Sequence, residues 1–253
     1  MNNKTPINNN KQHQPELVIV GPTGSGKTGL AIKVAKTLDG EVISADSRAI
    51  YKGMDIGTAK PTIEEMDGVP HYGIDLVEPD ERFTVVDFVR YAREKIAEIR
   101  ARGKLPIIAG GTGLYVDGLV YDYQFDNVVK KTCSDREEMS SDYVILGIDW
   151  PREELRKRLL ARSNKLFEQN IEAETLAMVE QYGWDSQAMK SDIYPICWEM
   201  MRGNISREEA IKLNAIDDWH LAKRQLTWFR RNKNINWLPL NLAEEWIIKY
   251  YRG

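Results

Sequence analysis

The residues with the clearest chemical potential lie in the segment GPTGSGKT at positions 21–28. A glycine, four residues and then Gly-Lys-Thr is the spacing of a phosphate-binding loop. Its glycines let backbone N–H groups converge on phosphate oxygens, its lysine adds positive charge, and the hydroxyl of Thr28 can hold Mg²⁺. The spacing leaves open whether the phosphate belongs to a nucleotide or to another ligand. The predicted phosphate-binding residues are Gly21, Pro22, Thr23, Gly24, Ser25, Gly26, Lys27 and Thr28.

Two aspartates stand where an acid could serve this loop. NTPases and kinases hold their metal ion with a further acidic residue after a hydrophobic strand, and Asp149 follows the apolar run VILGI. Trp150 and Pro151 come directly after it, so this carboxylate could equally cap the helix that begins at Pro151. Asp46 ends another apolar run beside Ser47, where a carboxylate is either a helix cap or a base that faces the phosphate loop.

These residues need strands that end at one edge of a sheet, and the apolar patterning supplies them. Alternation of strands and helices indicates an α/β fold, a P-loop NTPase-like parallel sheet flanked by helices, with a mostly helical C-terminal half. Ligands of such sheets bind at the carboxyl ends of the strands. The predicted strands are 16–20, 41–46, 105–111 and 143–150, and the predicted helices are 28–38, 84–103, 151–164, 171–182 and 206–232.

Length and composition indicate one cytoplasmic domain. A chain of 253 residues suits a single domain over 16–253, after a polar tail over 1–15 that we expect to be disordered. No apolar run approaches the ~18–20 residues of a membrane span, so no membrane partner is expected. Cys133 and Cys197 lie far apart without paired spacing, which fits a reducing compartment and argues against a zinc site.

The strongest charge asymmetry lies near the carboxyl terminus. The net charge is −3, yet positions 219–233 contain five lysines or arginines and no acid. Helical spacing places residues of this segment in two stripes, one apolar and one polar. The polar stripe either binds a phosphate backbone or is a solvated helix face. The apolar stripe is Trp219, Ala222, Leu226 and Phe229; the polar stripe is His220, Lys223, Arg224, Thr227 and Arg231.

Five segments together resemble the tRNA dimethylallyltransferases. They are GPTGSGKT, ISADSRAIYKGMDIGTAKP, GGTGLYVDGL, LGIDWPREEL and AKRQLTWFRR, in the order of that family and spread over residues 21–231. The resemblance implies transfer of a dimethylallyl group from dimethylallyl diphosphate to N6 of the adenosine next to the anticodon of tRNA. It implies Mg²⁺ as cofactor, the anticodon stem-loop as partner and a monomeric enzyme.

The resemblance also implies roles for single residues. The phosphate loop would hold the diphosphate of the donor, gripped from the other side by Arg162, and Asp46 would take the proton from the adenine amine. Thr112, in the GGTG segment, would lie by the target nucleotide. The implied catalytic residues are Asp46, Lys27, Thr28 and Arg162. The implied tRNA contacts are Asp46, Ser47, Arg48, Ala49, Thr112, Lys223, Arg224 and Arg231.

The chain departs from the family pattern at three places. Ala49 stands where the family usually has a glutamine, so a side-chain hydrogen bond to a base is lost there. We expect residues 122–141 to form a connector where the family carries a longer helical insertion, and we expect no appended zinc finger after Trp237. The alternatives are an adenylate isopentenyltransferase acting on free AMP or ATP, a small-molecule P-loop kinase, and a tRNA-binding protein without catalysis.

Overall fold

A six-stranded parallel sheet forms the centre of the protein. The computed structural model describes residues 14–123, 139–186, 188–190 and 193–253. The strand order is β3-β2-β4-β1-β5-β6, and every neighbouring pair is parallel. The strands are β1 (Glu16–Val20), β2 (Gly40–Ser44), β3 (His71–Tyr72), β4 (Leu105–Gly110), β5 (Tyr143–Asp149) and β6 (Ile235–Pro239).

Helices cover both faces of this sheet and build a further layer beyond its carboxyl edge. They are α1 (Lys27–Leu38), α2 (Ile63–Met66), α3 (Val85–Ala101), α4 (Gly113–Val120), α5 (Arg152–Glu168), α6 (Ile171–Tyr182), α7 (Tyr194–Met201), α8 (Arg207–Phe229) and α9 (Leu240–Arg252). A short 3₁₀ turn occupies Ala188–Lys190.

The hydrophobic core divides into layers because the central strands are apolar on both faces. All five residues of β1 are buried, as expected for a central strand of a parallel sheet. One face packs against α1 and α9, and the other packs against α3 and α4. A third cluster joins α6 and α7, and a small fourth cluster joins α5 to α8. The last two hold α5 and α8 beside the strand ends.

The structure confirms the predicted fold class and refines the predicted elements. The four predicted strands and five predicted helices are present, with ends shifted by a few residues. The short strand β3, the strand β6 and the helix α9 were missed. The sequence of β6, INWLP, mixes polar and apolar residues and does not predict a strand, and its pairing with β5 is a long-range contact. Since α9 fills the segment after Trp237, that region packs on the sheet.

Two predicted segments fall largely outside the described residues. Residues 1–13 of the predicted tail and 124–138 of the predicted connector lie there, so the tail over 1–15, the shortened insertion over 122–141 and the single domain over 16–253 stay predictions. Within the described ranges, no helix has the length and apolarity needed to cross a membrane.

Candidate active site

A cavity of about 820 Å³ lies at the carboxyl ends of β1, β2 and β4, with α5 and α8 forming its far wall. It brings together most of the side chains that the sequence singled out. The predicted residues that line it are Thr23, Gly24, Gly26, Lys27, Thr28, Asp46, Ser47, Arg48, Ala49, Thr112, Arg162 and Arg224. The predicted residues that do not line it are Gly21, Pro22, Ser25, Lys223 and Arg231.

The phosphate loop has the backbone that its glycines predict, and side chains from α5 and its approach brace it. Gly24 and Gly26 have φ values of +72° and +89°, in the left-handed region that favours glycine. The indole Nε1 of Trp150 donates to the carbonyl of Ser25 at 3.0 Å, and Nε of Arg158 donates to the carbonyl of Gly24 at 2.8 Å. The Arg158 guanidinium stacks on Trp150, 4.5 Å from the ring centre. The loop is therefore held in shape without a ligand.

Lys27 is the first residue of α1 and lies inside this loop. Its Nζ donates to the carbonyl of Pro22 at 2.7 Å. Burial lowers the pKa of Lys27 to about 8; the Asp46 carboxylate opposes this shift, and the Arg162 guanidinium adds to it. An ammonium that is disfavoured when the site is empty gains most from an anion beside it. The loop thus carries a charge that a phosphate ligand would stabilise.

Asp46 combines the two roles that the sequence left open. Its Oδ1 accepts hydrogen bonds from the N–H groups of Arg48 at 2.8 Å and Ala49 at 3.4 Å, so one oxygen caps the turn after β2. Its Oδ2 accepts none from the described part of the chain. The Oγ1 of Thr112 accepts from the Ser47 N–H at 2.9 Å and lies 3.2 Å from the Ser47 hydroxyl. Thr112 therefore holds the turn that presents Asp46 to the cavity.

Gln225 of α8 is a site residue that sequence reasoning missed. Its Oε1 accepts from the Thr23 N–H at 2.7 Å, and its Nε2 donates to the Gly111 carbonyl at 3.1 Å. One amide thus ties the phosphate loop to the glycine turn after β4. Gln225 lies within the AKRQLTWFRR segment, whose distinctive feature is its positive charge, so an uncharged side chain there gives no separate signal of its role.

Charge in the cavity is strongly positive although the whole chain is acidic. Two acids line it, Asp46 and Asp218, and Arg162 is ion-paired with Asp218. Some of the lining cations are already engaged, since the Nζ of Lys60 contacts Asp55 and Asp75. The lining cations are Lys27, Arg48, Lys60, Arg158, Arg162, Lys165 and Arg224. Such a lining favours an anionic ligand.

The loop that carries Lys60 closes the side of the cavity opposite the phosphate loop, and α6 anchors it. The Glu174 carboxylate accepts from the N–H groups of Asp55, Ile56 and Gly57, at 2.9, 2.7 and 2.9 Å. It also accepts from the hydroxyl of Tyr194 at 2.7 Å. Residues 57–61 of this loop line the cavity.

Asp149, which the sequence offered as a metal ligand or a helix cap, is engaged by an arginine in the structure. Asp149 ends β5, but its Oδ1 lies 3.1 Å from Nη2 of Arg230, and it is absent from the cavity lining. Among the described residues, no group of three or more His, Cys, Asp or Glu side chains could hold a metal ion. Thr28 is exposed to the cavity and is the hydroxyl that the loop offers to Mg²⁺.

The two stripes of α8 point as their spacing predicted, with one correction. Trp219, Ala222 and Phe229 are buried, and Lys223 and Arg224 are exposed. The helix ends at Phe229, so Arg231 lies beyond it, in the turn that leads to β6.

Comparison with known proteins places this architecture in a family. A family model described as IPP transferase matches residues 49–141 and 124–232, and one described as isopentenyl transferase matches residues 16–75. A tRNA dimethylallyltransferase of Bacillus cytotoxicus is 33% identical over 304 aligned positions, which cover 96% of this chain and 96% of the relative. Since 304 exceeds the 253 residues here, the relative contains segments that this chain lacks.

Solved structures agree with this match. The crystal structure of the tRNA delta(2)-isopentenylpyrophosphate transferase of Staphylococcus epidermidis has a TM-score of 0.82 and 33% identity, and covers 94% of this chain and 99% of that chain. The full-length tRNA isopentenylpyrophosphate transferase of Bacillus halodurans has a TM-score of 0.83 and 31% identity, with 95% and 96% covered.

Proposed function

The chain belongs to the IPP transferase family, and from that membership we propose that it transfers a dimethylallyl group from dimethylallyl diphosphate to N6 of the adenosine next to the anticodon in tRNA. Diphosphate is the second product. The observation that carries the proposal is the cavity itself, in which a phosphate loop and the Asp46 carboxylate, whose Oδ2 accepts no hydrogen bond from the described residues, face a common space rich in positive charge.

The donor side follows from the chemistry of the leaving group. The bond between the allylic carbon and the diphosphate oxygen breaks, and its electron pair stays on the diphosphate. Lys27 and Arg162, together with the N–H groups of the phosphate loop, stabilise the charge that develops there. Phosphate transfer would require an acid at the Asp149 position to hold a metal ion, and that carboxylate pairs with Arg230.

The acceptor side rests on Asp46. The N6 nitrogen of adenine forms the new bond to the allylic carbon and releases a proton, which the free Oδ2 of Asp46 accepts. Oδ1 is held by the two N–H groups of the turn, so the carboxylate keeps one orientation. Arg48 and Ala49 line the same space, where they would meet the edges of the target base. The Arg48 guanidinium also donates to the carbonyl of Ala188 at 2.7 Å, which fixes its reach.

Mg²⁺ fits this site only with help from the donor. The chain offers the Thr28 hydroxyl, and Mg²⁺ ordinarily completes its shell with substrate phosphate oxygens and waters. When bound, the ion would neutralise charge on the departing diphosphate. The residues present are compatible with that role.

The test is a transfer assay with three acceptors. The protein is incubated with dimethylallyl diphosphate and an anticodon stem-loop RNA bearing adenosine on the 3′ side of the anticodon, with the same RNA bearing guanosine there, or with AMP. We expect one dimethylallyl group on the adenosine RNA alone, detected by mass spectrometry of its nucleosides.

Two outcomes would change the assignment. Prenylation of AMP without prenylation of the RNA would make the protein an adenylate isopentenyltransferase, the activity that the match to residues 16–75 also permits. Transfer of a phosphoryl group from ATP to a small acceptor, with ADP as the second product, would instead identify a kinase and refute the proposal.

A further inference from the structure

Three positively charged side chains surround one tryptophan on the outer side of the α5–α8 pair. The Arg152 and Arg156 guanidinium carbons lie 5.2 and 4.9 Å from the ring centre of Trp219, and Nζ of Lys223 lies 5.9 Å from it. The two arginines lie on successive turns of α5, whereas the lysine lies on α8. We call these three cations with Trp219 the Trp219 cluster.

Within the described part of the chain, the cations of the Trp219 cluster have no acidic partner. Among the residues that the structure describes, no carboxylate lies within 4 Å of Arg152, Arg156 or Lys223. Neighbouring cations are paired: Lys157 with Glu154 at 2.9 Å, and Arg230 with Asp149 at 3.1 Å. Like charges held together destabilise a fold unless a counter-charge joins them. An unpaired group of three in a chain with net charge −3 therefore indicates a site for a polyanion.

The position of the Trp219 cluster connects it with the cavity. Lys223 precedes Arg224, which lines the cavity, and Arg224 precedes Gln225, which binds the phosphate loop. The exposed surface of α8 thus runs from the cavity rim to the cluster within one helical turn. A nucleic acid with one nucleotide in the cavity would pass its neighbouring phosphates along this surface.

We propose that Arg152, Arg156 and Lys223 bind the phosphate backbone of the RNA acceptor, beyond the nucleotide that enters the cavity. This inference rests on the proposed function. The contacts are to phosphates rather than bases, because the Trp219 ring is only 9% exposed and its surroundings are occupied by the cations. Stacking on the ring restrains the two guanidinium groups, so little conformational entropy is lost when a phosphate binds.

The test measures how RNA binding depends on salt. The variant Arg152→Gln, Arg156→Gln, Lys223→Gln is compared with the wild type for binding a fluorescein-labelled anticodon stem-loop, between about 50 and 200 mM KCl. Each lost phosphate contact removes about 0.9 from the slope of log K against log salt. We expect the slope to fall in magnitude by about two to three and the affinity at ~0.1 M salt to fall about tenfold or more.

A matched control separates local from general charge effects. The variant Lys33→Gln, Arg90→Gln, Arg202→Gln also removes three exposed cations, from α1, from α3 and from the residue that follows α7, and its slope should equal that of the wild type. Affinity for dimethylallyl diphosphate should be the same in all three proteins. If the triple variant fails to fold, Lys223→Gln alone should lower the slope by about one.

The outcomes distinguish this proposal from the proposed function. If the wild type prenylates the RNA but the Trp219 cluster variant keeps the wild-type slope, the surface assignment is wrong and the transferase assignment stands. If the wild type neither binds nor prenylates the RNA, both are wrong. Preferential loss of binding to anionic lipid vesicles, with RNA binding intact, would show that the surface serves a membrane and would overturn the proposal.

Discussion

The lowered pKa of Lys27 makes donor binding depend on pH in a way that an ordinary lysine would not. With a pKa of about 8, the ammonium form of Lys27 is nearly complete at about pH 7 and falls to roughly a tenth at about pH 9. If the diphosphate requires the ammonium, its dissociation constant rises about tenfold across that interval. A lysine with the ordinary pKa near 10.5 would change it by less than ~10%.

The assay is calorimetric titration with dimethylallyl diphosphate at several pH values. The terminal phosphate titrates near pH ~6, so the ligand keeps its charge across the interval. In Lys27→Met, binding should be weaker and independent of pH. A flat profile in the wild type would refute the reasoning, and an equal decline in the variant would assign the titration to another group.

The pH dependence of the free energy of unfolding gives an independent check on the pKa of Lys27. The folded-state pKa lies below the unfolded value of 10.5, so the unfolded chain binds more protons between these values and stability rises as pH passes from about 8 towards 10.5. The wild type should therefore gain up to about 3 kcal/mol relative to Lys27→Met over that range. Urea denaturation at each pH measures the difference.

Three further substitutions probe the rest of the site. Asp46→Asn should lower the single-turnover rate of transfer by a factor of about 10²–10⁴, because no base remains at N6. The same variant should move the pH midpoint of donor binding below 8, since the Asp46 carboxylate favours the ammonium form of Lys27. An unchanged midpoint would contradict this coupling. Gln225→Leu removes both hydrogen bonds between the phosphate loop and the glycine turn, so single-turnover transfer should slow about tenfold, and an unchanged rate would show that the two segments do not need this link. Glu174→Ala leaves three N–H groups of the 55–57 loop without their acceptor and should cost about 2–3 kcal/mol of unfolding free energy by urea denaturation; an unchanged midpoint would show that the loop is not anchored there.

Much of the fold followed from local patterns. The structure of the segment 21–28 is predictable from its sequence. Gly24 and Gly26 are needed for a left-handed backbone, and the lysine and threonine must follow directly. Strands buried on both faces appear as continuous apolar runs, so the central strands β1, β4 and β5 were predictable. The edge strands β3 and β6 were not, since partly exposed edges need no continuous run.

The residues of the site also divide into those that the sequence predicted and those whose roles depend on contacts between distant segments. Asp46 and Lys27 were predicted from segments whose chemistry is local, Thr112 was implied by the family resemblance, and the structure gathers all three in one cavity. Gln225 was missed because its partner Thr23 lies 202 positions away in the sequence. Asp149 had the right neighbours in sequence to hold a metal ion, and only the packing of Arg230 against β5 showed its carboxylate engaged elsewhere.

The sequence alone determined the phosphate loop and the parallel α/β class, because these depend on residue types at short, regular spacings that the backbone geometry dictates. The family was indicated by the resemblance of five segments to those of known enzymes. The tertiary structure decided which oxygen of Asp46 is free, which acid holds Arg162, how α8 joins the two glycine segments, and where unpaired cations collect around Trp219. Those features depend on contacts between distant elements, whose relative positions follow from packing of the whole core and leave no trace in local spacing.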